Sequence, residues 1–457
     1  MGLKGSEAAR DFVARRLMGR LLGYLRKQPE QNFLKMLRVV QLFAVLERHK
    51  RHAAGLARIF RENEVLRAYM TRLLREVHPN VQQRLGYNWF INAMVLGIPR
   101  QERLSRELGI NVPNFLLIDP TSACNLACEG CWAGKYPQRH SLEFTTLDRL
   151  CTEAKELGIY WIVFSGGEPL LYRQLFDLMA RHHDMAFMAF TNGTLIDERV
   201  ADRIIVVGNF SPAISLEGFE ERTDARRGRG VFAKVSRAMD LLRERGAVFG
   251  VSITLTRENV EEVTSDEFID FLIEKGVTYG WLFHYIPIGR NPNPDLMVTV
   301  EQRAYLAERI PYIRAHRPIQ LADFWNDGEL TCGCIAGGRR YLHITAKGDI
   351  EPCAFVHFAT DNIEGKSLLE ILRSPVLAAF KKRQPFDENL LRPCPVIDVP
   401  AALREIVAES GARPTHPGAE TVLEGPIAEF LDRRSEDWAR ASAPIWERRK
   451  LRRAVSQ

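Results

Sequence analysis

Residues 115–131 read FLLIDPTSACNLACEGC. A short apolar run, FLLID, ends at Asp119 and Pro120, and a loop follows that holds Cys124, Cys128 and Cys131. Runs of the same texture recur: YWIVFSGG at 160–167, AFMAFTNG at 186–193, SPAISLEG at 211–218, VFGVSITLT at 248–256 and YGWLFHYIPIG at 279–289. Between them lie segments of helical periodicity, such as TLDRLCTEAKELG and VFAKVSRAMDLLRERG, the second with Gly246 as a C-cap. Strand and helix alternating six times predict a parallel sheet, in the form of a partial (β/α)6 TIM-type barrel short of the full eight units. Functional residues in such folds gather at the C-terminal strand ends. The cysteine loop, SGGEP, TNG and SLEG all fall there.

Three thiolates on one loop can face one metal centre. Structural zinc asks for four ligands, usually in CxxC pairs, and the nearest histidine, His140, stands nine residues past Cys131. Three ligands without a fourth suit a four-iron cluster with one iron left open.

The spacing CxxxCxxC resembles the signature of the radical S-adenosylmethionine (SAM) enzymes, and the motifs that follow extend the likeness. SGGEP at 165–169 resembles that family's GGEP, which implies that Gly166, Gly167, Glu168 and Pro169 bind SAM, with the glycines allowing close approach and Glu168 accepting from the ammonium. TNG at 191–193 and ISLEG at 214–218 resemble strand-end motifs of the SAM pocket, which brings in Asn192, Ser215 and Glu217. DARRGRGVF resembles an RGxGxF stretch, which assigns Arg227 to the SAM carboxylate, and the sixth strand would border the adenine. The resemblance implies a 4Fe-4S cluster on Cys124, Cys128 and Cys131, with Trp132 either shielding it or simply packing. It also implies reductive cleavage of SAM to a 5′-deoxyadenosyl radical, hydrogen abstraction from an unactivated carbon, and a small electron donor such as flavodoxin or ferredoxin.

A second cysteine group, CGCIAGGRRYLHITAKGDIEPCAF at 332–355 with RPCP around Cys394, resembles the auxiliary-cluster extension called SPASM or twitch. LHITAKGDIEPC reads as a hairpin turning at Lys347–Gly348. The resemblance implies one auxiliary 4Fe-4S cluster on Cys334, Cys353 and Cys394, its fourth ligand being Cys332 or substrate. Cys151 reads as a core thiol, and His182 and His183 as surface or capping residues. His284 reads equally as core or pocket lining, and ADFWNDGE at 322–329 as channel wall or linker.

Outward from this core, residues 1–112 predict amphipathic helices, with Val13, Leu17, Leu21 and Leu25 on one stripe. They carry 21 Lys and Arg against 9 Asp and Glu, a net of +12 in a chain of net +6. The expected organisation is a basic helical domain (1–112), the barrel (113–318), the cluster extension (319–400) and a helical, polar tail (401–457) with a frayed basic end. No apolar stretch approaches the roughly 20 residues of a spanning helix, and no secretory signal is evident. A cytoplasmic protein with reduced thiols is expected, with contact to the inner membrane surface through the basic helices. Nucleic acid is disfavoured, since no such motif occurs. The expected substrate is a lipid chain joined by carbon–carbon bond formation, because some relatives of the resembling group join lipid tails. The alternatives are a peptide- or protein-modifying SPASM maturase and, in another class, a non-catalytic iron–sulfur sensor or scaffold.

Overall fold

The computed structural model describes residues 16–43, 47–134 and 139–456; Val13 of the expected stripe lies outside them. Strands β1 (Phe115–Ile118), β2 (Trp161–Phe164), β3 (Ala186–Thr191), β4 (Phe210–Ser215), β5 (Gly250–Leu255) and β6 (Tyr279–His284) follow one another in parallel. The sheet does not stop at six. β7 (Gln320–Asp323) pairs in parallel with β6. β8 (Tyr341–Ile344) pairs in parallel with β1 at the opposite edge, with Leu116 opposite Leu342, and folds back into β9 (Ile350–Glu351). The expected cluster extension therefore supplies strands to both edges of the barrel sheet, and the boundary at 319 is not a structural break.

Side chains alternate across the pleat. Leu116, Ile118, Ile162, Phe164, Phe187 and Ala189 are fully buried. Their neighbours Phe115, Leu117, Trp161, Val163, Met188 and Phe190 line a lumen inside the curved sheet. In a closed barrel such residues fill the centre; here several, including Phe190, Trp281 and Phe283, stay half-buried and leave it hollow.

The N-terminal helices close the floor. Helices leave their last carbonyls without partners, and the barrel helices end in a row at the bottom of the sheet. Gln101 Nε2 donates to Gly158 O (2.7 Å). Asn88 Nδ2 donates to His183 O and Met185 O (2.8 Å each), and Asn92 Nδ2 to Asp184 O (2.9 Å). Asn80 Nδ2 reaches Ile205 O (2.7 Å), the His78 backbone N–H reaches Gly246 O (2.7 Å), and Arg72 reaches Val277 O. Each acceptor lies where a barrel helix runs out toward the next strand. Gly246, in the left-handed region at φ +72°, ends its helix as expected.

At the other end of the chain the basic tail is helical rather than frayed. One helix spans Gly425–Ser456. Trp438 on it is fully buried beneath the Arg303 guanidinium, 4.3 Å from the ring centre, and its indole donates to Leu391 O (2.8 Å). No helix among the described residues is long and apolar enough to cross a membrane.

Candidate active site

The lumen opens at the C-terminal ends of the strands, and there Cys124, Cys128 and Cys131 line it together with Gly166, Gly167, Asn192, Ser215, Arg226 and Arg227. The cysteine loop is held by its neighbours rather than by internal structure. Glu168 N donates to Ala123 O (2.8 Å), and Gly167 N to Thr121 O (3.0 Å). A Cβ on Gly167 would lie 2.1 Å from Ala123 O, and one on Gly166, at φ +98°, would lie 2.5 Å from Thr121 O. The glycines are thus required first by the close approach of two loops. Sequence reasoning assigned that closeness to the ligand alone.

Glu168 is also turned away from where the sequence places it. Its carboxylate accepts from Thr191 Oγ1 (2.7 Å), Asn192 N (2.7 Å) and Leu170 N (3.0 Å), and it is absent from the cavity wall. Burial raises its carboxyl above the usual range, against the three hydrogen bonds that favour the anion. It buttresses the TNG loop, and buried Pro169 starts a 3-10 turn behind it. Asn192, so held, reaches Asn125 Oδ1 (2.8 Å) on the cysteine loop.

Glu217 is likewise buried behind the wall. Its Oε1 accepts from Arg226 Nη1 (2.7 Å) and Arg227 Nε (2.8 Å). One carboxylate therefore aims two guanidiniums at the cysteine loop, where Arg226 Nη2 also reaches Gly130 O (3.3 Å). Arg226 Nε is buried without a partner. Sequence reasoning missed Arg226; the signal was its place beside Arg227 at the end of one helix, Glu220–Arg227.

Cys334, Cys353 and Cys394 line a second cavity of about 300 Å³, beside the first and sharing Trp281, Asp323-bordering Phe324 and Phe355 with it. Burial raises all three thiols, Cys334 to about 11 and Cys394 to about 12. Cys332 is not brought to them. It sits exposed in the left-handed region (φ +57°) and turns outward while Gly333 and Cys334 face the cavity. The CxC spacing at this helix end sends the two thiols apart. His284 lines the first cavity; it is buried, with Nε2 3.3 Å from Asp323 Oδ1. Cys151 is a buried core thiol as expected, and His182 bonds Asp148 (2.9 Å).

A buried ionic chain joins the loop after β1 to β8 and β9. Asp119 accepts from Ser165 Oγ (2.6 Å) and faces His343 Nε2 at 3.0 Å, and His343 Nδ1 meets Glu351 Oε2 at 2.7 Å. Burial alone would depress His343, but the two carboxylates outweigh it and lift its pKa to about 10.

The donors fit the groups that the sequence implies. No three His, Cys, Asp or Glu side chains among the described residues converge as a single-ion site requires. The thiols instead ring a space, which suits a polynuclear cluster. Burial raises Cys124 and Cys131, so an adjacent cationic centre is needed to hold them as thiolates.

Residues 118–269 match the radical SAM superfamily, and residues 332–395 match the SPASM iron–sulfur cluster-binding domain. The mycofactocin maturase MftC of Mycobacterium tuberculosis is 29% identical over 59% of this chain and 75% of its own. The Fe-coproporphyrin III synthase of Methanosarcina barkeri is 31% identical over 40% of this chain and 48% of its own, so the match spans about half of that relative. The fold is similar to that of Streptococcus suis SuiB bound to its precursor peptide SuiA, with a TM-score of 0.54 at 18% identity over 65% of this chain and 74% of that one. The chain thus carries a radical SAM domain and, after it, an iron–sulfur cluster-binding domain of the SPASM type.

Proposed function

We propose that the chain abstracts hydrogen from an unactivated carbon of a peptide or protein. Cys124, Cys128 and Cys131 would hold the first cluster. Gly166, Gly167, Asn192, Ser215, Arg226 and Arg227 would surround SAM, with the guanidiniums on its carboxylate. When bound, the cluster and SAM supply one-electron cleavage of a sulfonium carbon–sulfur bond and a primary carbon radical. The protein's part is position and dryness. Trp132, Phe190, Trp281, Phe283 and Phe355 wall the space between the two cysteine groups, which keeps water from a reactive carbon. Cys334, Cys353 and Cys394 would hold the second cluster, with a fourth position for another ligand.

The observation that carries this reading is the facing of two thiol-lined cavities across a shared aromatic wall. The peptide class is supported by the likeness to MftC, a maturase, over three quarters of that protein. A lipid chain is the second reading, favoured by the lower lumen, where Phe115, Leu117, Trp161, Val163 and Met188 present no charge.

Anaerobic reconstitution should load about eight irons, two four-iron clusters. With SAM and a reductant, 5′-deoxyadenosine should appear and be lost in Cys128→Ala; release by that variant overturns the reading. Mass spectra of the peptide and lipid fractions, with and without expression of the chain, separate the substrates. Loss of hydrogen confined to lipids would replace the peptide reading by the second.

A further inference from the structure

The helix Tyr87–Gly97 is amphipathic in the reverse sense. A surface helix ordinarily turns its apolar stripe to the core. Here Asn88 and Asn92 point inward, both buried and bonded to the floor carbonyls at 183–185. Gly97 lets the helix end lie against the Gly158 carbonyl, 2.5 Å from where a Cβ would be. The outward face is Trp89, Phe90, Met94, Val95 and Leu96, exposed by 41, 55, 40, 50 and 58%. In this π-helical segment Asn88 and Asn92 face the floor together with Tyr87 and Ala93, while five large apolar side chains face out. The face is part of a trend: eleven of the seventeen exposed large apolar side chains among the described residues lie before position 97. Contiguous exposed apolar surface of this kind marks an interaction site.

Charge identifies the partner. No Asp or Glu occurs between Glu76 and Glu102, and exposed Arg100 follows the face. Arg100 and Arg103 are exposed on the next helix, Ile98–Leu108. In the sequence, residues 1–112 carry a net of +12. An apolar helix face with Trp and Phe, set in cationic surroundings, matches the boundary between headgroups and acyl chains of an anionic bilayer.

We propose that the Tyr87–Gly97 face docks the enzyme, barrel floor down, on an anionic lipid surface. Trp89, Phe90, Val95 and Leu96 enter the headgroup boundary, and Arg100 and Arg103 meet phosphates. The cysteine-lined mouth, at the opposite end of the strands, then faces away from the membrane and stays open to an electron donor. This inference concerns the floor, so it is independent of which substrate the mouth accepts.

Co-sedimentation of the full chain with vesicles tests it. The chain should sediment with phosphatidylcholine vesicles containing phosphatidylglycerol, and far less with phosphatidylcholine alone. Phe90→Ser with Leu96→Ser should weaken the partitioning by about tenfold or more, since each side chain loses burial in lipid. Leu330→Ser, which removes an apolar side chain exposed by 71% beyond the C-terminal end of β7, away from the floor, should change nothing. If the double variant fails to fold, as read by thermal melting, Arg100→Glu with Arg103→Glu should weaken binding to the anionic vesicles alone. Absence of sedimentation with anionic vesicles, or equal binding by the folded variants, overturns the proposal. Light scattering that shows a dimer of the wild type and a monomer of the double variant also overturns it, because the face would then be a self-interface.

Discussion

Glu217 holds two cavity-lining side chains without lining the cavity itself. It is buried, and Arg226 and Arg227 both bond to its Oε1. Removing its charge leaves two guanidiniums unpaired and free to turn. Glu217→Gln is predicted to weaken SAM binding by about tenfold, roughly 1.4 kcal/mol, with the iron content unchanged. Calorimetric titration with SAM, beside an iron assay, checks this; unchanged affinity would mean that the arginines are aimed by something else. The motif ISLEG made Glu217 visible in the sequence, and so it was with Glu168 in SGGEP. What their side chains face was not visible. Each motif marks a strand end, but which side of the loop a carboxylate takes depends on donors outside the motif, such as Thr191 and Asn192 for Glu168 and Arg226 and Arg227 for Glu217.

Elements far apart in the chain meet under the Gly425–Ser456 helix. Arg303, Asp398 and Trp438 come from three separate segments, and all are buried. Asp398 Oδ2 also accepts from Cys394 N (3.0 Å), so the pair holds the turn that presents the third thiol of the second cavity. Breaking a buried ion pair leaves an uncompensated charge and costs about 3–5 kcal/mol. Asp398→Asn is therefore expected to lower the denaturant midpoint accordingly and to reduce the iron loaded after reconstitution. A loss of stability without loss of iron would separate the ion pair from the cluster site. The strands themselves were legible because apolar runs bounded by Gly and Asp repeat six times. β7 was not, because QLAD has no apolar run and only its pairing with β6 makes it a strand. For β8 and β9 the hairpin in LHITAKGDIEPC was legible, but not the parallel pairing of β8 with β1.

The barrel and the chain's later part are tied together by Asp119, His343 and Glu351. His343 belongs to β8 and Asp119 to the loop after β1, so the imidazolium links the barrel to the extension. Its pKa rises to about 10 from an unfolded value near 6.5. A raised cationic pKa contributes stability that is complete below the unfolded value and is lost as pH rises through about 10. Glu351 is held below the usual carboxylate range by its histidine neighbours despite burial. Its contribution is present above about 4.5 and fades as the solution becomes acidic. The melting temperature should fall between pH 6.5 and 10 in the wild type, and the deficit of His343→Gln should shrink over the same range. A constant deficit would mean that His343 acts by packing alone.

The sequence by itself determined the chemistry of this protein and the periodic part of its fold. Ligand spacing and strand-end motifs are local, and Cys124, Cys128 and Cys131 need only one loop to be recognised. Tertiary structure decided what the buried groups face. It sent Cys332 out of the second cavity and brought Arg226 into the first. It also turned the asparagines of helix Tyr87–Gly97 inward, because Asn88 and Asn92 find barrel carbonyls to bond there. Those partners lie roughly a hundred residues along the chain, and only folding brings them within a hydrogen bond's length.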